Sequence, residues 1–301
     1  MKKLFVAVLA IAGLVACNNE ETVRVQGPAP IAFDGSFVET RALVADAEDP
    51  SITTDDITGF DVWGFMDEAA GQIFDREEVT GTKGNFTYAN TQYWVPGHQY
   101  YFAAIAPAQS TNVTVTDAAA ADAYYGLGTI AFNITDGAED LLYSAVGPIA
   151  APDANATSVA PVKFEFNHML SKVKFTFTNG FDNDLATIDV TNVRMVVPST
   201  GSINVAQADW WSTNQWVLGT TTKEIAFGDA YTRLGIGDSA EAANERIIFP
   251  ADATQSYTVT FNVVYRQGEV EAYTGTKTVV IENVALEIGK AYNFKAELNA
   301  S

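Results

Sequence analysis

Apolar and polar residues alternate along most of this chain, and the period is two. Val162-Lys163-Phe164-Glu165-Phe166, Val173-Lys174-Phe175-Thr176-Phe177 and the longer Tyr257-Thr258-Val259-Thr260-Phe261-Asn262-Val263-Val264-Tyr265 each place their apolar side chains on one side. A period of two puts successive side chains on opposite faces of an extended chain, so each run predicts a strand with one buried face. Asn179-Gly180, Ser199-Thr200-Gly201 and Gln267-Gly268 fall between such runs and supply turn chemistry. Helix signals are scarce, and the alanine-rich stretch Asp117 to Tyr125 is the single short candidate. Many short strands with hardly any helix predict an all-β protein of β-sandwich type.

The low-complexity stretch Ala150-Ala151-Pro152-Asp153-Ala154-Asn155-Ala156-Thr157-Ser158 reads as an exposed connection. A boundary there gives an N-terminal sandwich over 34–158 and a C-terminal one over 159–301, each an ordinary domain length; a long loop within one domain is the alternative.

The start of the chain departs from the strand pattern. Met1-Lys2-Lys3 precedes an apolar run from Leu4 to Val15, and Leu14-Val15-Ala16-Cys17 closes it. The run is short of the ~20 apolar residues that span a bilayer and has the layout of a secretory signal. The chain's single cysteine stands at the cut. Residues 1–16 are therefore read as a lipoprotein signal peptide and Cys17 as the lipidation site. Two or more acyl chains there, at ~0.8 kcal/mol per buried methylene, give a stable membrane anchor. With Cys17 acylated, the mature chain has no thiol for a disulfide or a zinc thiolate.

Charge narrows the partners. The chain carries 17 basic and 37 acidic residues, and loss of Lys2 and Lys3 with the signal leaves 15 against 37, a net charge of −22. Such a surface repels nucleic acid and anionic headgroups. Catalytic and metal chemistry find little to work with. The two histidines, His98 in a Val-Pro-Gly-His turn and His168 in an alternating strand, have no partner at ligand spacing. Asp182-Asn183-Asp184 opens like a calcium loop but lacks the later glycine and glutamate. No catalytic residue, metal site or cofactor is expected. Trp210, Trp211 and Trp216 could form a sugar-stacking platform, the basis of an alternative reading as a glycan-binding surface lipoprotein.

Four segments in order resemble the fimbrillin family, the type V pilins of the Bacteroidales: Ile57-Thr58-Gly59-Phe60-Asp61-Val62-Trp63-Gly64-Phe65; Tyr93-Trp94 leading to Tyr100-Tyr101-Phe102-Ala103-Ala104-Ile105-Ala106-Pro107; Asp140-Leu141-Leu142-Tyr143; and Phe164 to Phe175. The resemblance implies two transthyretin-like β-sandwiches, lipoprotein export, no enzymatic activity, and assembly into a fimbria with other subunits by donor-strand exchange. In that scheme a trypsin-like protease cuts after a basic residue, removes the first strand and opens an apolar groove for a strand of another subunit. Within the leader 17–41, Arg41 follows the strand-like Ile31 to Phe37, so a cut there removes lipid and strand together, whereas a cut at Arg24 leaves the strand in place. An anchor or tip subunit of the same family, which keeps its lipid, is a variant of this reading. Asp238-Ser239-Ala240 resembles an O-glycosylation acceptor triplet.

The expected removed strand faces inward with Ile31, Phe33, Gly35 and Phe37, and the last strand with Tyr292, Phe294, Ala296 and Leu298. Both sets read large, large, small, large. The C-terminal strand is therefore the expected donor, provided that both strands enter the groove in the same direction.

Overall fold

The computed structural model describes residues 29–37, 57–67, 71–117, 127–154, 156, 158–206, 215–252 and 254–299. Among them there is no helix, and the fold is all-β. The first strands in chain order are β1 (Phe33–Phe37), β2 (Gly59–Met66), β3 (Gly71–Thr80), β4 (Thr87–Tyr88), β5 (Gln99–Ala106), β6 (Val113–Asp117), β7 (Leu127–Asn133), β8 (Leu142–Ala150) and β9 (Val162–His168). Then come β10 (Ser171–Asn179), β11 (Ala186–Pro198), β12 (Thr200–Asn204), β13 (Val217–Leu218), β14 (Thr222–Gly228), β15 (Tyr231–Leu234), β16 (Ser239–Glu241), β17 (Arg246–Ile248), β18 (Tyr257–Gln267), β19 (Val270–Ile281) and β20 (Ala291–Leu298). Asp117, where the helix candidate begins, ends β6, and the rest of that candidate lies outside the described residues.

A seven-stranded sheet runs in the order β1-β9-β8-β5-β2-β3-β4. Its central strands are covered on both sides, which is why β2 and β5 read as nearly unbroken apolar runs rather than alternating ones. One face carries Phe60, Val62, Phe102, Ala104, Phe164 and Phe166. The other presents Trp63, Phe65, Ala103, Ile105 and Tyr143 to a larger core shared with the rest of the chain. Two further sheets face each other in the second half. β10 pairs with β16, β17 and β20, while β11 and β18 lie between β14, β15 and β19. Phe175 meets Phe227 at 4.7 Å between ring centroids, and Phe177 meets Phe261 at 5.0 Å, so apolar rings fill the space between the layers.

The boundary expected at 158/159 cuts through the first sheet. The stretch 150–158 connects β8 to β9, and these pair antiparallel at Leu142 with His168 and Tyr143 with Asn167. The two halves are also joined by a sheet of order β13-β12-β7-β6, in which β12 pairs with β7 from Thr200 opposite Asn133 to Asn204 opposite Thr129. Low-complexity composition marks exposure of a connection, and exposure is compatible with a crossing between neighbouring strands.

Candidate strand-exchange groove

β1 is the edge strand of the seven-stranded sheet and runs parallel to β9, with Phe33 opposite Val162, Gly35 opposite Phe164 and Phe37 opposite Phe166. Its entry is fixed from both sides. Ile31 N–H donates to Gln92 O at 2.9 Å, Trp94 N–H to Ala29 O at 3.0 Å, and Val162 N–H to Ala32 O at 2.7 Å. The Tyr88 hydroxyl donates to Ile31 O at 2.6 Å, and burial, the largest influence on that phenol, raises its pKa above the ordinary value. Ile31 is 1% exposed and Phe33 3%, while Ala32 between them faces solvent.

Phe33 is the anchor. Its ring lies 5.2 Å from Phe74, 5.4 Å from Tyr88, 5.7 Å from Phe102 and 5.8 Å from Phe164, centroid to centroid. Gly35 continues the inward row in a tight place: a Cβ there would stand 3.2 Å from Cε2 of Phe166 and 3.5 Å from Cε1 of Phe60. Removal of β1 would expose this aromatic trough and the free backbone groups of β9. Exposed edge and exposed apolar surface are then satisfied together by another strand. Phe74, Tyr88 and Trp94 line the site without having been singled out as such in the sequence; the density of aromatic residues between 60 and 102 is the signal that points to them.

β20 is also an edge strand in parallel pairing. It lies on β10 from Ala291 opposite Lys172 to Leu298 opposite Asn179. Lys295 and Glu297 are exposed and Tyr292, Phe294, Ala296 and Leu298 are half-buried against the core, while Asn293 on the other row is half-buried too and accepts from the Thr176 hydroxyl at 2.9 Å. Phe294 meets Phe175 at 5.6 Å, and Tyr292 accepts a 2.7 Å hydrogen bond from Glu287 N–H through its hydroxyl. The two strands thus run in the same direction relative to their host strands. Of the inward row of β1, Ile31, Phe33 and Gly35 are buried, and the Phe37 side chain lies outside the described residues. So do Cys17, Arg24, Arg41, Trp210 and Trp211.

Trp216 and His168 are held in the core. Trp216 is 8% exposed, donates from Nε1 to Met169 O at 2.9 Å and packs on Phe249 at 4.9 Å, so it plugs the core and offers no face to a sugar. His168 is buried with Nδ1 2.7 Å from Asp140 Oδ2. His98 pairs with Asp67, whose carboxyl is held below its ordinary pKa first by the Gln99 N–H and then by His98. Asn183 spends its side chain on the N–H of Leu185, closing a turn. Ser239 Oγ lies 2.7 Å from Thr178 Oγ1 at the start of β16. No group of three or more metal-ligating side chains occurs among the described residues.

The fimbrillin-like family model matches residues 40–301. The chain belongs to the fimbrillin-like family. As a member of it, the protein is structural rather than enzymatic. Its fold is shared by a fimbrial protein from Bacteroides vulgatus, at 14% identity and a TM-score of 0.55 over 90% of this chain and 95% of that one. A candidate cell adhesion protein from Bacteroides ovatus matches at 20% identity and a TM-score of 0.53, covering 90% and 93%. Another from Bacteroides eggerthii matches at 14% and 0.51, covering 91% and 87%. No match was found among curated proteins.

Proposed function

We propose that this fimbrillin-like chain is a structural subunit of an extracellular fimbria that supports adhesion, exported as a lipoprotein anchored at Cys17 in the outer membrane. A trypsin-like protease cuts after Arg41, β1 leaves with the lipid, and the C-terminal strand of another subunit fills the trough. The observation that carries this reading is the state of β1: an N-terminal edge strand whose Phe33, together with Ile31 just before the strand, is buried in an aromatic groove. Other subunits and the processing protease are the partners. The buried indole of Trp216 removes one wall of the sugar platform on which the glycan-binding alternative depended.

Arg41→Ala tests the trigger. The variant is expected to fold with β1 in place and to form no polymer on exposure to trypsin, because the groove never opens. High-molecular-weight ladders at wild-type yield would remove Arg41 from the mechanism and direct attention to Arg24.

A further inference from the structure

β1 and β20 rest on hosts of the same pattern, which makes their registers comparable. β9 offers Val162, Phe164 and Phe166, and β10 offers Val173, Phe175 and Phe177, all buried. On β9 the valine faces Phe33 and the first phenylalanine faces Gly35. On β10 the valine faces Tyr292, and the two phenylalanines face Phe294 and Ala296. A β20 that kept its resident register on β9 would therefore bring Phe294 to the place of Gly35. That place is nearly closed, since a single added carbon already comes within 3.2 Å of Phe166 and 3.5 Å of Phe60. An alanine is accommodated if Phe166 yields by a few tenths of an ångström. A phenylalanine would need room for six more carbons between two fully buried rings, in a core packed to crystal-like density.

Sliding β20 by two residues removes the conflict. Phe294 then faces Val162 where Phe33 stood, Ala296 takes the place of Gly35 opposite Phe164, and Leu298 takes that of Phe37 opposite Phe166. We propose that β20 of a second copy enters the groove two residues out of the register it holds on its own β10, and that Phe60 and Phe166 form the steric gauge that sets this offset. The inference rests on the donor-strand reading above and adds to it a register and the residues that select it.

Cross-linking tests the offset without touching the core. Ser36 faces Glu165 in the intact chain. The shifted register brings Glu297 to that position and the resident register brings Lys295, and all three charged side chains are exposed. Neighbouring Cα atoms in paired strands fall within the ~4.4–6.8 Å that a disulfide spans. Full-length chains carrying Cys17→Ser and Glu165→Cys are mixed with chains carrying Cys17→Ser and either Glu297→Cys or Lys295→Cys. They are treated with trypsin to start assembly and oxidised, and the linked peptides are quantified by mass spectrometry. The expected result is a 165–297 link at least ten-fold more abundant than 165–295. A dominant 165–295 link would overturn the offset while leaving β20 as donor. Polymer with neither link would place β20 elsewhere and overturn both, as would a wild-type control that forms no polymer after cleavage.

Discussion

β1 on β9 and β20 on β10 are two solutions to one local problem, and they differ in commitment. Both are parallel edge strands on a Val-x-Phe-x-Phe host with an inward row of one small residue among large ones. β1 has its anchors sealed: Phe33 touches four aromatic rings, and the backbone around Ile31 is bonded on both sides. β20 keeps its whole inward row half-buried, and among the described residues the ring contact of Phe294 is with Phe175 alone. The difference matches the roles proposed for them. A strand that holds a groove shut until it is cut away gains from deep burial, whereas a strand that must leave its own sheet to enter another cannot be bound too firmly where it starts.

The sharpest break in the comparison comes from charging the β20 row. Phe294→Asp with Leu298→Asp replaces two apolar anchors, each contributing ~1.5–3 kcal/mol on full burial, and adds the desolvation of two carboxylates. The double variant is expected to abolish donation while its own groove still receives a wild-type strand, so that in mixtures it terminates chains at one end. Analytical ultracentrifugation reads the chain length, beside thermal unfolding of the monomer. A folded variant that polymerises like wild type would eliminate β20 as donor.

Truncation compares the two strands directly in the uncut precursor. Phe33→Ala is expected to cost about 3–5 kcal/mol, as for a fully buried ring, and Phe294→Ala about half as much because its burial is partial. Denaturant titrations of the two variants check this, and equal losses would erase the asymmetry on which the roles rest.

Part of this contrast is legible in the sequence. The alternation in β9, β10 and β18 shows in period-two runs, and the matched rows of 31–37 and 292–298 are visible because side-chain direction follows directly from extended geometry. Partner choice is not visible in the same way. The pairing of β12 with β7 and the place of β9 in the first sheet join residues far apart in the chain, and a low-complexity connection such as 150–158 looks the same whether it separates domains or crosses between adjacent strands. The steric gauge at Gly35 depends on Phe60 and Phe166 converging from two strands, and the burial of Trp216 depends on its indole N–H meeting the Met169 carbonyl, 47 residues away in the chain.

A smaller perturbation sharpens the register. Ala296→Leu leaves the half-buried β20 nearly as stable at home but overfills the place of Gly35. Overpacking of a filled core typically costs ~1–3 kcal/mol, which corresponds to a roughly five- to 150-fold weaker strand insertion, read by light scattering. Unchanged kinetics would show that Phe60 and Phe166 impose no limit.

The smallest effect concerns the phenols beside each strand. Burial raises the pKa of both Tyr88 and Tyr292 above the ordinary 10.0. The folded state thus keeps protons that the unfolded chain gives up, so this contribution to stability is intact below pH 10 and is lost as pH rises through the folded-state values. Tyr88→Phe is expected to cost about 0.5–1.5 kcal/mol at neutral pH through the lost bond to Ile31 O. It should also flatten the decline in denaturation midpoint above pH 10. An alkaline decline as steep as wild type would assign that loss to other groups.

The central claim, that β1 plugs a groove which another subunit's strand later fills, is met most directly by N-terminal sequencing of subunits released from assembled fibres. Chains that begin at Ala42 and lack residues 31–37 are the predicted result, and fibres whose subunits retain Ile31 to Phe37 would contradict it.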